Sequence, residues 1–473
     1  MTFAMFSRRI SGAALAASLL VTCDLAFAGG FLQYEHGAPA TGMADARTAF
    51  SDDASALYFN PAGICALEGL QVEIGTTGTL PSVHYQAARK PDSDRVYTRA
   101  SDGRQIQVND GMNDADSIKR GFFPSHLYVT YNPPGVPLAF GLGVNSPFGL
   151  GIAWPGDWDG RFITTESDMA TLITQPTVAL DVGRLLGFSD YVDLFVAAGY
   201  DLVWASARLG QAIDLRMGER YLDWIEPGPE GKMLLTGSAW GHGYNFAVLL
   251  RRPGLGAFGA SVRSGVRLPF RGTARFSFNE QALDVLGFLG TEIPASTGGS
   301  VTIDLPWTAN FGIMWEATER LKVALDLYLA FFQSYDELTL HFDCSEQQPP
   351  CGLEDETQVY DWHTGWQLSA GIEYNPWSRL VLRAGYAASF SPVPPETLEP
   401  SVPDGRQNNI SVGAGWRAGR WKLDAGYMLA FWSVTKENEV GGWDELGNPG
   451  GKANGVYSTV VHMLAVSFSL KIL

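Results

Sequence analysis

The sequence predicts an all-β protein, a 14-stranded antiparallel transmembrane β-barrel set in a cell outer membrane. Three observations carry that prediction. Aromatic residues are plentiful, with 14 Trp, 17 Tyr and 26 Phe, while only 18% of residues are charged; soluble domains carry about 25%. No apolar run beyond the N-terminal region reaches the ~20 residues that a spanning helix needs. Apolar and polar residues instead alternate in segment after segment, as in barrel strands of ~10 residues that turn one face to lipid and the other to a polar lumen.

Residues 1–28 read as a signal peptide. Arg8-Arg9 form the positive end, "ISGAALAASLLV" the apolar stretch, and Ala26-Phe27-Ala28 an A-x-A cleavage site before Gly29. A lipoprotein signal at Cys23 is the rival reading, with Thr22 a poor residue before that cysteine. Next comes "DARTAFSDDASALYFNPAGICALEGL", from Asp45 to Leu70, too polar and too broken for a core helix. Pro61 pushes Asn60 out of the α region and fixes an extended bend, which leaves the Asn60 side chain able to bond elsewhere. Taken by itself, "FNPAG" is a turn that starts the first strand.

The strands have two distinct faces. In "RLVLRAGYA", Leu380, Leu382, Ala384 and Tyr386 fall on one side, and Arg379, Val381, Arg383, Gly385 and Ala387 on the other. "LKVALDLYL" places Leu321, Val323, Leu325, Leu327 and Leu329 outward and Lys322, Ala324, Asp326 and Tyr328 inward. "WKLDAGYML" places Lys422 and Asp424 inward. In "GASVRSGVRL", Arg263 and Arg267 share a face opposite Val262, Val266 and Leu268. A charge on the lipid face costs ~2–4 kcal/mol at mid-membrane, so the charged faces line the lumen.

Six tight connections carry turn residues, at 132–137, 185–191, 251–257, 317–320, 375–378 and 417–420. They alternate with seven longer polar segments near 81–125, 146–169, 209–239, 271–305, 341–360, 391–406 and 435–455. With both chain ends on the short-turn side, that alternation gives 14 strands. A large soluble sandwich or propeller would alternate similarly, but no ~40-residue repeat marks a propeller.

The remaining composition narrows the chemistry. A net charge of −17 argues against nucleic acid, which calls for a basic patch. Cys344 and Cys351 enclose "SEQQPP" and are expected to form a disulfide in an oxidising compartment; Cys65 then remains as a small buried residue. No cysteine spacing fits zinc. The seven histidines, His36, His84, His126, His242, His341, His363 and His462, include no H-E-x-x-H, and no G-x-S-x-G occurs. The expectation is a protein without catalytic residues, metal or cofactor.

Five stretches resemble the FadL-type outer-membrane transporters of long-chain fatty acids and aromatic hydrocarbons. "DDASALYFNPAG" is similar to the family's N-terminal hatch, and "VNSPFGLGIAWPGDWDGRF" at 144–162 to the segment leading into its third outer loop. "IDLPWTANFGIMWEATERLKVALDLYLAFF" at 303–332, "SPVPPETLEPSVPDGRQNNISVGAGW" at 391–416 and "GVYSTVVHMLAVSFSL" at 455–470 resemble a late hairpin, a late loop and the closing strand. The resemblance implies a plug over 29–69 inside a barrel over 70–473, and passive uptake of long-chain fatty acids or similar hydrophobes. It implies a kink in the third strand that opens a lateral gap, with Asn60, Pro61 and Ala62 close to it.

The candidate ligand site combines an apolar cluster with a cation. Phe148, Leu150, Ile152, Trp154, Trp158 and Phe162 crowd one outer loop, and such exposed clusters mark grooves or an interfacial aromatic girdle. For a carboxylate, an Arg fork is the natural partner, and Arg208, Arg263, Arg267, Arg383 and Arg406 are candidates by face. Lumen ion pairs to Asp201, Asp326 or Asp424 are the competing use of these arginines. The expected partners are a hydrophobic small molecule and the outer-membrane lipids, including lipopolysaccharide, around a monomer. The alternatives are a porin or adhesin without a specific ligand, and a lipid-modifying enzyme.

Overall fold

Alternating segments joined by short Pro- and Gly-bearing turns fold into long antiparallel hairpins, which close into a ring. The computed structural model describes residues 36–88, 94–98, 105–109, 113–215, 230–344, 351, 353–438 and 452–473; residues 1–35, with the signal peptide and the start of the expected plug, lie outside them. The barrel strands are β1 Gly69–Ala87, β2 Ser125–Asn132, β3 Leu138–Asn145, β4 Glu166–Asp181, β5 Asp193–Asp214 and β6 Glu230–Arg252. β7 is Gly256–Arg263 continued as Val266–Phe278, and β8 is Ser296–Leu305 continued as Trp307–Thr318. β9 Leu321–Phe331, β10 Thr364–Trp377, β11 Leu380–Phe390, β12 Gln407–Ala418, β13 Trp421–Lys436 and β14 Gly455–Lys471 complete it. Each strand pairs antiparallel with the next, and β14 pairs with β1 from Gln71↔Lys471 to Ala87↔Gly455. The 14-stranded closed sheet is the one the sequence predicts. Closure is required because an open edge in lipid would leave backbone groups without partners.

The faces of β9 and β11 follow the sequence. Leu325, Leu382 and Tyr386 are exposed on the outside, while Ala324, Asp326, Val381 and Arg383 are buried within. Two expectations fail. The polar segment 209–239 is not all loop, because β5 runs to Asp214 and β6 starts at Glu230. Above the bilayer the outer face meets water, so Arg208, Lys232 and Thr236 point outward there and read as loop polarity. Their inward neighbours Leu209, Met233 and Leu235 are buried.

The second failure is in β7. Arg263 is buried but Arg267 is exposed, whereas Val266 and Leu268 are buried with Arg263. The pairing of β6 with β7 runs Asn245↔Arg263 below and Ser238↔Arg271 above, a shift of one residue. Ser264 and Gly265 supply the extra residue, and one extra residue sends every later side chain to the opposite face. Arg267 therefore leaves the lumen.

Residues 36–67 are enclosed by the strands. Ala38, Ala40, Met43, Ala46, Leu57 and Ile64 are all fully buried. The segment holds two single helical turns, Ala38–Thr41 and Ala56–Phe59, and a 3-10 turn Pro61–Ala66. It passes into β1 at Gly69, whose φ is +64°. A Cβ there would lie 2.0 Å from the Leu473 carbonyl oxygen, so glycine is required on both counts.

Candidate functional site

A polar lumen cannot hold an enclosed segment by greasy packing alone, so small residues and charges do the work. Met43, Ala44 and Gly42 lie directly on the wall glycines. A Cβ at Gly385 would sit 2.3 Å from the Met43 carbonyl carbon, and one at Gly413 would sit 2.9 Å from the Gly42 Cα. One at Gly426 would sit 2.5 Å from the Ala38 carbonyl oxygen. These glycines of β11, β12 and β13 let backbone rest on backbone.

The charges are cross-linked. Arg47 is 2% exposed and donates to Asp52 at 2.7 Å and to Asp53 at 2.6 Å, with Glu373 of β10 at 3.8 Å. Glu373 also accepts from Arg383 at 2.9 Å, and Arg383 donates to Asp424 at 2.6 Å. The Thr48 amide donates to Asp326 at 2.6 Å, and Lys422 donates to the Asp52 carbonyl at 2.5 Å. Burial alone would lower the Arg47 pKa, but Asp52, Asp53 and Glu373 raise it well above its ordinary value. Burial would likewise raise Asp52; Arg47, Lys322, Lys422 and Arg417 outweigh it and hold the carboxyl well below the usual range.

Asn60 is extended, at φ −155°. Its Nδ2 donates to the carbonyls of Thr48 and Val248, both at 3.0 Å, and its Oδ1 accepts from the Ala62 amide at 3.2 Å. Pro61 begins the 3-10 turn, where its missing N–H is no loss. The Asn60 side chain is thus anchored on β6 at Val248, while Ala62 packs in one cluster with Ala139 of β3. Leu57 also lies next to β3: a Cβ at Gly141 would meet it at 2.3 Å, and its carbonyl accepts from Gln175 at 2.8 Å.

The apolar outer-loop residues do not form one cluster. Trp154 stacks on Trp158 at 4.4 Å, near parallel, with Ile152, Tyr85 and Tyr457 around them. Trp154 Nε1 donates to the Pro400 carbonyl at 3.3 Å and Trp158 Nε1 to the Thr164 carbonyl at 3.0 Å. Phe148 belongs to a second cluster with Met169, Ile173 and Val203. The backbone of Leu150 pairs with Met169, and its side chain lies outside the described residues. Phe162 is stacked under Arg161 at 4.3 Å and is only half-buried.

The arginines divide as well. Arg263 is held by Asp201 at 2.7 Å and by Gln175 at 3.0 Å, facing Tyr58 of the enclosed segment. Arg383 is held by Glu373 and Asp424. Arg208 is half-exposed on the outer face and paired with Glu166 at 2.9 Å; above the bilayer its alternation points it to water. Arg406 is exposed and stacked over Phe390 at 4.8 Å. The structure therefore does not gather the candidate arginines around one ligand. Cys344 and Cys351 are joined as a disulfide, and Cys65 is a free, buried thiol that burial pushes up to about 12.

What the sequence missed is an apolar cavity against the inner wall of β5–β8. It is a narrow, partly open pocket of about 20 Å³, lined by Leu209, Leu235, Phe270, Val301, Ile303 and Leu340, with Gly237, Gly272 and Gly299 side by side behind them. The signal was present in the inward apolar residues of 209–239 and 271–305, segments read as loops. Nearby, β3 leaves β2 above Val144 and resumes as Gly149–Ala153, paired only with β4 in the ladder. Phe122 covers this break: a Cβ at Gly151 would lie 1.9 Å from its ring.

A closed ring of antiparallel strands with exposed apolar side chains outside and a buried segment within is an outer-membrane β-barrel with an occupied lumen. The sequence matches, over residues 19–471, the family described as outer membrane protein transport protein (OMPP1/FadL/TodX), and the chain belongs to that family. It resides in the outer membrane, and its family is one of transporters, not of enzymes. It is 25% identical over 414 residues to a protein of Neisseria meningitidis serogroup B, covering 82% of this chain and 83% of that one. It is 21% identical over 454 residues to the long-chain fatty acid transport protein of Escherichia coli strain K12, covering 90% and 93%. Among solved structures, a Pseudomonas aeruginosa FadL homologue superposes with a TM-score of 0.76 at 19% identity, covering 94% of this chain and all of that one. The Ralstonia pickettii toluene transporter TbuX gives 0.64 at 16% identity, covering 92% and 98%.

Proposed function

We propose that the protein is a passive outer-membrane channel for hydrophobic small molecules, long-chain fatty acids or similar hydrophobes, in which residues 29–69 form a plug and 70–473 the barrel. The single observation that carries this reading is the apolar pocket on the inner wall of a blocked barrel. Burying a ligand there removes apolar surface from water, at about 25 cal/mol per Å², and needs no energised step. The break in β3 beside Phe122 supports a sideways exit towards the bilayer. The plug supports uptake of bound molecules over free ion flow, which disfavours an open porin.

Arg263 and Arg383 already have carboxylate partners, so affinity rests on the apolar part of the ligand. The test is calorimetry on the full chain in detergent, with oleate and with toluene. Saturable binding of either, weakened about tenfold by Leu235→Gln and unchanged by Arg263→Gln, is the expected result. No binding of either, or a large open-pore conductance in planar bilayers, would overturn the reading.

A further inference from the structure

The outer face of β6–β8 carries a second, unassigned feature. Below, β6 presents Leu250, Phe246, Tyr244 and Trp240 to the outside, all exposed. Tyr244 pairs across the ladder with Tyr200, and Trp240 with Trp204. Aromatic pairs of this kind mark the boundary where hydrocarbon gives way to headgroups, and the span from Leu250 to Trp240 matches the height of the apolar band. The next outward residue above Trp240 is Ser238, and directly opposite it is Arg271. Arg275 is the second outward position further out, past Thr273 and opposite Leu234, with Lys232 beyond. All three cations are exposed.

These cations differ from their neighbours. On the same outer face Arg120 is paired with Glu166 and Asp168, and Arg208 with Glu166. Among the described residues, Lys232, Arg271 and Arg275 make no ion pair. Asp343 lies over Gly298 between the two arginines without an ion pair to either, and Asp304 faces Arg267 across the ladder. Four residues of strand place the Arg271 and Arg275 Cα atoms about 13 Å apart. In a chain of net charge −17, exposed cations without an ion pair at headgroup height are open to an anionic counterpart from outside the chain.

We infer that Arg271 and Arg275, with Lys232, form a docking surface for the phosphate groups of an outer-leaflet glycolipid, whose acyl chains lie along the apolar band under Trp240. Guanidinium forks suit phosphate, and their pairing with it is charge-assisted and bidentate. The bilayer supplies that anion at the height where the arginines stand. The inference concerns the lipid side of the barrel and is independent of what the lumen carries.

The test uses the full chain, purified in neutral detergent, with lipopolysaccharide and its enzymatically dephosphorylated form as probes in native mass spectrometry. The wild-type protein is expected to retain lipopolysaccharide and to bind the dephosphorylated form at least about tenfold more weakly. R271Q/R275Q is expected to lose binding by a similar factor, with heat-modifiable gel migration showing that the barrel has folded. R271K/R275K keeps the charge and is expected to retain most of it. Equal binding of both probes, equal binding by wild type and a folded R271Q/R275Q, or displacement of the glycolipid by millimolar inorganic phosphate alone would overturn the assignment.

Discussion

Arg47 concentrates the energetics of the enclosed segment in one side chain. It faces Asp52, Asp53 and Glu373 while almost wholly buried, and removing one member of such a group strands the remaining charges. Breaking a buried pair costs about 3–5 kcal/mol. Arg47→Met is therefore expected to loosen the plug without unfolding the strands, read as raised conductance in planar bilayers with unchanged heat-modifiable migration. Asp52 gives the matching pH dependence. Its folded pKa is depressed, so the stabilisation is fully present above the ordinary carboxylate value near 3.9 and drains away as pH falls through the lower folded one. Conductance is expected to stay flat from neutral pH down to about 5 and to rise below about 4, and Asp52→Asn should flatten that acid rise. Much of this was legible: Lys422, Asp424, Asp326 and Arg383 read as lumen residues from alternation alone. Their partners did not, since nothing in sequence spacing brings Arg47 to Glu373.

At the level of the strand, β7 shows why alternation can mislead. Ser264 and Gly265 look like ordinary strand residues, yet they add one position and turn Arg267 out of the lumen while turning Val266 and Leu268 in. A bulge is invisible to a pattern of period two until the partner strand is known. The same limit hid the apolar cavity, whose lining alternates correctly but stands above the membrane, where a polar outer face looks like loop. Phe148, Trp154 and Trp158, close in sequence, separate into two clusters because the strand segment Gly149–Ala153 runs between the first and the other two. The wall glycines offer a direct check at this scale. Gly385→Val would drive a side chain into the Met43 backbone, so it is expected to expel the segment. Cys65, buried and with a thiol pushed up to about 12, should then become open to maleimide labelling, whereas the wild-type thiol stays unlabelled until denaturation.

For the molecule as a whole, strand number and closure were readable because turns, lengths and faces all agree. The burial of the segment before β1 was not readable from its own composition, since "FNPAG" read alone is a turn that starts the first strand. Only the resemblance to a family pointed to an occupied lumen. The division is tested by deleting residues 29–68. The remaining chain is expected to assemble as a heat-modifiable barrel with large conductance, and failure to assemble would show that plug and wall fold as one unit.

Gly69 and Leu473 meet at the base of the wall, and the ladder from Gln71↔Lys471 to Ala87↔Gly455 joins the first strand to the last. The strand that carries the enclosed segment is thus also one edge of the closing seam. Tether and zip share a single ribbon, so a tug on the cork pulls directly on the stitching that keeps the bottle shut.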